Sequence, residues 1–165
     1  MKKSHKFLLF IIMFSGLIVL DQVTKEIARQ KLRDKDTLLY FYDTFRLSYV
    51  ENTGAFLGMG SGMPRTISYI IFIALPLIFL LFFSVYIILK RNQLNNFTLS
   101  CYVLIIAGGI GNLIDRIFRD MHVSDFMNFG IGSLRTGILN FADFYITLGI
   151  VLIIIFSKKI LSHQT

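Results

Sequence analysis

Four apolar stretches constrain the fold of this chain more than any other feature of its sequence. They occupy about residues 7–24, 66–89, 97–116 and 138–157. A helix of roughly 20 mostly apolar residues is long enough to cross the hydrocarbon core of a bilayer. Because 55% of the 165 residues are apolar, little chain remains for a second domain. The sequence therefore predicts an all-α integral membrane protein with four transmembrane helices, built as a single membrane-embedded domain over residues 1–165.

The segments that flank these stretches differ in charge. Both chain ends and the connection between the second and third stretches carry Lys or Arg without Asp or Glu. Every acidic residue lies in the other two connections, about residues 25–65 and 117–137, or at the stretch ends that face them. Short basic flanks favour the cytoplasmic side of a membrane. We therefore expect both termini in the cytoplasm, and we interpret the net charge of +7 as a topology signal, not as a nucleic-acid-binding surface.

The longer of the two acidic connections has a pattern of its own. Apolar and basic residues mix over Gln22–Arg33, which is typical of a helix that leaves the bilayer and lies on its surface. Aromatic and β-branched residues follow over Thr37–Gly58, and Thr44–Val50 alternates with the period of two that indicates a half-buried strand. These patterns predict a surface helix and a small extracytoplasmic β element.

Polar side chains within three of the stretches are expected at the same depth. With a helical rise of about 1.5 Å per residue, Asp21 lies about 9 Å below the outer edge of the hydrocarbon. Asn112 and Asp115 lie about 8 and 3 Å below that edge, and Asn140 and Asp143 about 4 and 9 Å below it. Ionisable groups inside a membrane are costly and usually functional. The sequence therefore predicts a functional layer near the extracytoplasmic face.

Two neighbouring acid–base pairs in this layer are expected to hold helices together. Asp21 and Lys25 are four residues apart, a spacing that brings side chains together on a helix. Asp115 and Arg116 are adjacent in the sequence. We expect an ion pair at each of these places.

Two further acids, Asp125 and Asp143, have no adjacent basic residue in the sequence. Asp125 follows Asp115 by ten residues, in a connection that we expect to be a loop folded back over the helix ends. Two carboxyl groups held close together share one proton, so one can accept a proton from water while the other donates one to a carbonyl oxygen. No His or Cys pair has metal-ligand spacing, so the predicted dyad needs no metal and no cofactor.

Five short motifs along nearly the whole chain resemble those of one known family. The motifs are Asp21–Lys25 (DQVTK), Asn52–Ala55 (NTGA), Gly108–Arg116 (GGIGNLIDR), Val123–Phe126 (VSDF) and Asn140–Asp143 (NFAD). In this order, on four apolar stretches, they resemble lipoprotein signal peptidase, the signal peptidase II family.

The resemblance implies a metal-independent aspartyl endopeptidase of the bacterial cytoplasmic (inner) membrane. Such an enzyme cleaves the signal peptide from diacylglyceryl-modified prolipoproteins, on the N-terminal side of the lipidated cysteine. The expected partners are these substrates and membrane lipid, and globomycin-like inhibitors are expected to occupy the same cleft.

The resemblance also assigns roles to individual residues. It implies that Asp125 and Asp143 are catalytic. Six residues match positions that line or support the substrate cleft: Asn52, Gly54, Gly108, Asn112, Arg116 and Asn140. Three more match structural polar positions: Asp21, Lys25 and Asp115.

The chain departs from the family pattern beside the expected cleft. Phe56 and Leu57 stand where the family usually has a small residue and then an aromatic one. Ser124 replaces an aliphatic residue, and Phe144 replaces a smaller one. We therefore expect the shape of the pocket and the range of substrates to differ more than the chemistry does.

Two other function classes fit an intramembrane polar layer. A small proton- or ion-coupled transporter also uses Asp and Asn within its helices. The polar layer of this chain lies only at the outer rim, however, and no continuous polar path crosses the stretches. A non-enzymatic assembly subunit is the third possibility, although buried ion pairs are an expensive way to order helices. Cleavage of a lipidated proprotein would separate the peptidase from both.

Overall fold

The computed structural model describes residues 3–55 and 58–161. In chain order these residues form α1 (Lys3–Leu32), β1 (Leu38–Tyr40), β2 (Phe45–Asn52), α2 (Arg65–Tyr69), a π-helical turn (Ile70–Ala74), α3 (Leu75–Lys90), α4 (Asn96–Phe118), β3 (Val123–Ile131), β4 (Leu134–Arg135) and α5 (Phe141–Leu161). The π-helical turn connects α2 to α3 directly before Pro76, whose missing N–H interrupts the helical hydrogen-bond pattern.

The long helices have the length and composition of membrane spans. Phe7–Leu32, Arg65–Lys90 and Asn96–Phe118 are each long and apolar enough to cross a bilayer, and Phe141–Phe156 is a shorter apolar helix. Large apolar side chains on the outside of these helices remain exposed, for example Phe82 and Ile154. Such a surface fits an integral membrane protein, because lipid tails are the solvent that apolar side chains prefer.

Helix α4 lies at the centre of the helix bundle. In the most apolar part of α4, half of the residues are buried, whereas only 6% are buried in the corresponding part of α1. The reason is that α1, α3 and α5 all pack against α4. Glycines make the closest approaches possible: a Cβ on Gly108 would stand 2.4 Å from the carbonyl oxygen of Ala142 in α5. The small residues of α4 therefore let the backbone of α5 approach closely.

The polar connections fold into one antiparallel sheet with the strand order β1-β2-β3-β4. The predicted strand over Thr44–Val50 is confirmed by β2. The expectation of a loop at Asp125 is wrong, because this residue lies within β3. The sequence pattern did not indicate this strand, because the first six residues of β3 are buried on both faces of the strand and therefore show no alternation of apolar and polar residues.

The helix predicted over Gln22–Arg33 is the C-terminal part of α1. Helix α1 continues without a break to Leu32, since residues 17–32 contain no Gly or Pro and are mostly good helix formers. Ala28 and Leu32 are buried against Phe126 and Met127 of β3. The C-terminal end of α1 therefore supports the back of the sheet.

Candidate active site

A cavity of about 180 Å³ lies where the sheet meets the ends of α4 and α5. Its walls come from β2, the segment after it, α4, β3, the segment before α5, and α5 itself. The lining residues are Asn52, Ala55, Asn112, Arg116, Val123, Asp125, Ile138, Leu139 and Asp143. Five of these residues are predicted site residues that are far apart in the sequence, and the fold brings them to one cavity.

Asp125 is held by two asparagine side chains. Its carboxylate accepts a hydrogen bond of 3.0 Å from Nδ2 of Asn52 on β2 and one of 2.6 Å from Nδ2 of Asn140. Only 3% of Asp125 is exposed, and Asn140 is fully buried. Each carboxylate oxygen therefore has its own amide donor.

Asp143 lies in the first turn of α5. The N–H of Asp143 donates to Oδ1 of Asn140 at 3.0 Å, and the N–H of Asn140 donates to Oδ2 of Asp143 at 3.3 Å. This reciprocal pair is a capping box, which satisfies two otherwise free N–H groups at a helix start. Nδ2 of Asn112 on α4 completes the site with a hydrogen bond of 2.8 Å to Oδ1 of Asp143.

Asn140 links the two carboxyl groups, because its side chain contacts Asp125 while its backbone and side-chain oxygen contact Asp143. Burial raises the pKa of Asp125 to about 7, with the negative charge of Asp143 as the second cause. Hydrogen bonds from Asn52 and Asn140 oppose this rise only in part. Asp125 therefore holds a proton up to near neutral pH.

Behind the cavity, the fully buried ammonium group of Lys25 contacts three oxygen atoms. It lies 2.9 Å from Oδ2 of Asp21, 3.2 Å from Oδ2 of Asp115 and 3.0 Å from Oδ1 of Asn112. These contacts match the three N–H groups that a lysine can donate. The predicted Asp21–Lys25 pair is confirmed. The contact with Asn112 also fixes its amide orientation, so that the NH₂ group points to Asp143.

The two aspartates beside Lys25 each hold backbone next to a cavity carboxyl group. Oδ1 of Asp21 accepts the N–H of Ala142 at 2.9 Å, one residue before Asp143. Oδ2 of Asp115 accepts the N–H of Ser124 at 3.2 Å, one residue before Asp125. One buried cluster thus orders both elements that carry the cavity acids.

The predicted ion pair between Asp115 and Arg116 is wrong. Consecutive residues on a helix point in different directions, and Asp115 pairs instead with Lys25 and with Nε of Arg119 at 3.0 Å. Arg116 turns into the cavity wall and donates a hydrogen bond of 2.6 Å to the carbonyl oxygen of Gly54. Its guanidinium also lies over the ring of Phe72, 5.3 Å from the centroid.

Gly54, Gly108 and Asn140 surround the cavity without lining it. The N–H of Gly54 donates to Oδ1 of Asn52 at 2.9 Å, which orients that amide toward Asp125. A Cβ on Gly54 would stand 2.5 Å from the carbonyl oxygen of Met59, so only glycine fits this turn. Gly108 allows α5 to pack tightly on α4, and Asn140 has the linking role described above.

The residues that depart from the family pattern occupy different environments. Ser124 is buried on β3 and accepts a hydrogen bond of 3.1 Å from Nη2 of Arg29. Phe144 is half exposed on the outer surface of α5. Phe56 and Leu57 lie outside the residues that the structure describes. Sequence reasoning missed Arg29, although it lies four residues after Lys25 on the same face of α1.

Among the described residues, no group of three or more His, Cys, Asp and Glu side chains is arranged to hold a metal ion. The side chains of the cavity instead offer carboxyl, amide and guanidinium groups. This set can exchange protons, hydrogen-bond a peptide backbone and stabilise negative charge on oxygen.

The sequence and the fold both match known proteins. The family model for signal peptidase (SPase) II matches residues 13–159. A lipoprotein signal peptidase from Borreliella burgdorferi (strain ZS7) is 37% identical over 160 residues, covering 93% of this chain and 92% of the relative. One from Borrelia duttonii (strain Ly) is 35% identical over 151 residues, covering 88% and 87%.

Two solved structures share the architecture. A bacterial membrane enzyme determined by the in meso method at 2.3 Å resolution superposes with a TM-score of 0.78, at 31% identity, over 94% of this chain and 91% of that one. A second, determined by the same method at 1.9 Å resolution, has a TM-score of 0.72 at 29% identity, over 88% and 90%.

Proposed function

Because this chain belongs to the signal peptidase II family, it is a protease that removes the signal peptides of prolipoproteins, and we propose that Asp125 and Asp143 carry out the cleavage. The observation that supports this assignment most directly is the position of Asn140, which contacts both carboxyl groups at one cavity. Two carboxyl groups that share donors and a cavity form a dyad of the aspartic-protease type.

The proton of the dyad is assigned to Asp125. This residue is almost fully buried, and its pKa, raised to about 7, leaves the carboxyl group protonated below neutral pH. The negative charge is assigned to Asp143, which lies in the first turn of α5, where the partial positive charge of a helix N-terminus stabilises an anion. The amide group of Asn112 adds a further donor to this charge.

The reaction then proceeds by general acid–base catalysis. Asp143 removes a proton from a water molecule in the cavity, and the water oxygen attacks the scissile carbonyl carbon while Asp125 gives its proton to the carbonyl oxygen. In the second step, Asp143 passes its proton to the leaving nitrogen, the C–N bond breaks and Asp125 recovers the proton from the hydroxyl group. The products are the carboxylate end of the signal peptide and the free amine of the new N-terminus.

The bond cleaved is the one on the N-terminal side of a cysteine that carries a diacylglyceryl group. Arg116 lines the cavity and is suited to hydrogen-bond the substrate backbone. Asn52 has a supporting role, because its NH₂ group already donates to Asp125 and to the carbonyl oxygen of Ala55. Lipid tails of the substrate would remain in the bilayer beside the exposed apolar surface of the helices. Globomycin-like inhibitors would compete for the same cavity.

The same assignment implies a topology. Residues 1–165 form one domain in which three long apolar helices and the shorter apolar helix Phe141–Phe156 cross the bacterial inner membrane. Both termini face the cytoplasm, where the basic flanks are favoured. The cavity then opens near the extracytoplasmic face, since it lies at the ends of α4 and α5 that meet the sheet. Water reaches this layer more easily than the middle of the bilayer.

The test is cleavage of a lipidated proprotein by purified variants in lipid. Asp125→Asn and Asp143→Asn should each leave a folded protein that cleaves at least 100-fold more slowly, a factor of the order expected for loss of a general acid or base. Asp120→Asn is the matched control, because this exposed aspartate pairs with Arg65 outside the cavity. Normal cleavage by both cavity variants would end the proposal.

Neither rival class has a specific observation in its favour. The relatives that this chain matches are peptidases, so the transporter alternative is not supported. An assembly subunit would need no cavity with two linked carboxyl groups. The cleavage assay separates both from the peptidase.

A further inference from the structure

The two sides of strand β3 have different partners beside the catalytic cavity. Consecutive residues of a strand point to opposite faces. Asp125 faces the cavity, whereas Ser124 faces the outer end of α1, where it is buried with 2% of its surface exposed. The position of the Asp125 carboxyl group is therefore coupled to the contacts behind it.

A hydrogen-bonded network occupies the Ser124 side of the strand. Oγ of Ser124 lies 3.1 Å from Nη2 of Arg29 on α1 and 3.3 Å from the hydroxyl group of Tyr49 on β2. Nε of Arg29 also donates to the hydroxyl group of Tyr49, at 3.4 Å. Three elements that are distant in the sequence thus meet at one serine hydroxyl group.

Acidic side chains at the edge of this network balance the charge of Arg29. Glu26 forms an ion pair with Arg29 one helical turn earlier, and the hydroxyl group of Tyr49 donates to Oε1 of Glu51 at 3.0 Å. Only 17% of the Arg29 side chain is exposed, so its hydrogen bonds are largely shielded from water. Shielded, charge-assisted hydrogen bonds hold geometry better than exposed ones.

A bulge in β2 brings Tyr49 to this side. Leu47 pairs with Met127 and Val50 pairs with Asp125, so β2 contains one more residue than β3 over this interval. An extra residue reverses which side chains share a face. Without it, Tyr49 would pair with Asp125; with it, Tyr49 lies on the face of Ser124.

The same bulge brings the correct donor to the catalytic side. After it, Glu51 pairs with Ser124, and Asn52 falls on the face of Asp125. The hydrogen bond of 3.0 Å from Nδ2 of Asn52 to Asp125 depends on this register. The bulge therefore separates a polar network on one face from the catalytic face on the other.

We propose that Arg29, Tyr49 and Ser124 form a positioning network that fixes the catalytic carboxyl group of Asp125 from the back of its strand. The inference rests on the proposed function of Asp125. None of the three residues lines the cavity, so they act through the backbone of β3 and not on the substrate. Displacement of a catalytic group by about 1 Å is enough to lower a rate by about 100-fold.

The network also keeps Asp125 buried, with 3% of its surface exposed. Charged groups that face Asp125 come from three other elements: Asp143 on α5, Arg116 on α4 and Lys25 on α1. Burial is nevertheless the largest cause of its raised pKa. A looser β3 would admit water to the carboxyl group and lower that pKa.

The test uses variants that remove one hydroxyl group each. Ser124→Ala and Tyr49→Phe delete the network contacts, while Ser100→Ala on α4 and Tyr40→Phe on β1 delete the same atoms elsewhere. Rates of cleavage of a lipidated proprotein are measured from pH 5 to pH 9 and divided by the folded fraction of each preparation. We expect kcat to fall about tenfold with little change in KM, since a displaced carboxyl group weakens the reaction step and leaves substrate contacts in place.

The pH profile separates positioning from a merely structural role. If Asp125 acts in its protonated form, activity falls as pH rises past the pKa of this group. In the two network variants this fall should occur at least half a pH unit lower than in the wild type, and in the two control variants it should not move.

An unchanged kcat and pH profile in both network variants would overturn the proposal. Loss of folded protein without a change in kcat per folded enzyme would assign the network to stability alone, which also overturns it. The proposed function fails in a different way: Asp125→Asn would then cleave normally, whatever the network variants do.

Discussion

Replacement of Asp125 with Asn should change how the stability of the folded protein depends on pH. Burial and the charge of Asp143 raise the pKa of Asp125 to about 7, whereas the pKa of Asp in an unfolded chain is about 3.9. Between these values the folded state binds a proton that the unfolded state releases. The resulting stability is fully present below about pH 4 and is lost as pH rises through about 7.

The size of this effect follows from the two pKa values. Their difference corresponds to about 4 kcal/mol of folding free energy that wild type loses between pH 4 and pH 8 and that a neutral Asn does not lose. Asn also has one acceptor oxygen in place of two, facing donors from Asn52 and Asn140, which costs about 1–3 kcal/mol at every pH. The variant should therefore be less stable than wild type at pH 4 and more stable at pH 8.

Thermal unfolding of the purified protein in detergent micelles, followed at intervals from pH 4 to pH 8, measures this crossover. Asp120→Asn is the control, because its side chain is largely exposed and its profile should stay parallel to that of wild type. Parallel profiles for wild type and Asp125→Asn across the whole range would refute the reasoning, since they would mean that Asp125 titrates alike in the folded and unfolded states.

Two further predictions concern the groups behind the cavity. Lys25→Met should lower the free energy of unfolding by about 3–5 kcal/mol, because it leaves the buried carboxylates of Asp21 and Asp115 without their shared cation. The variant should therefore unfold at a lower temperature than the control Lys31→Met, which changes an exposed lysine. Gly108→Val should lower the free energy of unfolding by about 1–3 kcal/mol and reduce cleavage, because its Cβ would stand 2.4 Å from a carbonyl oxygen of α5 and displace the helix that carries Asp143. Gly16→Val should do neither, because a Cβ at Gly16 would have nothing within 4 Å. Equal effects of the two variants would contradict this account.

The sequence predicted well those features that depend on distance along a helix. A rise of about 1.5 Å per residue is enough to compare the depth of polar groups in separate spans. Asp21, Asn112 and Asp143 were expected in one layer on this basis. The structure joins them, because Lys25 contacts both Asp21 and Asn112, and Asn112 donates to Asp143. The same reasoning identified the Asp21–Lys25 pair, since its spacing of four residues is one helical turn.

Features that depend on contacts between distant segments were predicted less well. The strand at Asp125 was missed because burial on both faces removes the alternation that marks a strand. Arg116 was expected to pair with Asp115, but helix geometry sends it to Gly54, on a different segment. A bulge in β2 cannot be read from the local pattern, because it is defined only by the register with a partner strand.

The arrangement around Lys25 explains how two acids from different elements reach one cavity. Its cation joins Asp21 and Asp115, and each of these holds the backbone one residue before a cavity acid. A change in the position of Lys25 would therefore move both acids together, whereas the network around Ser124 acts on Asp125 alone. The relative placement of the two carboxyl groups therefore depends on both sets of contacts, the buried cluster around Lys25 and the network around Ser124. Ser124 belongs to both groups, because its N–H donates to Asp115 and its hydroxyl group accepts from Arg29. We therefore expect Lys25→Met and Ser124→Ala to be non-additive in their effects on both the free energy of unfolding and the cleavage rate, and additive effects on both would contradict this coupling.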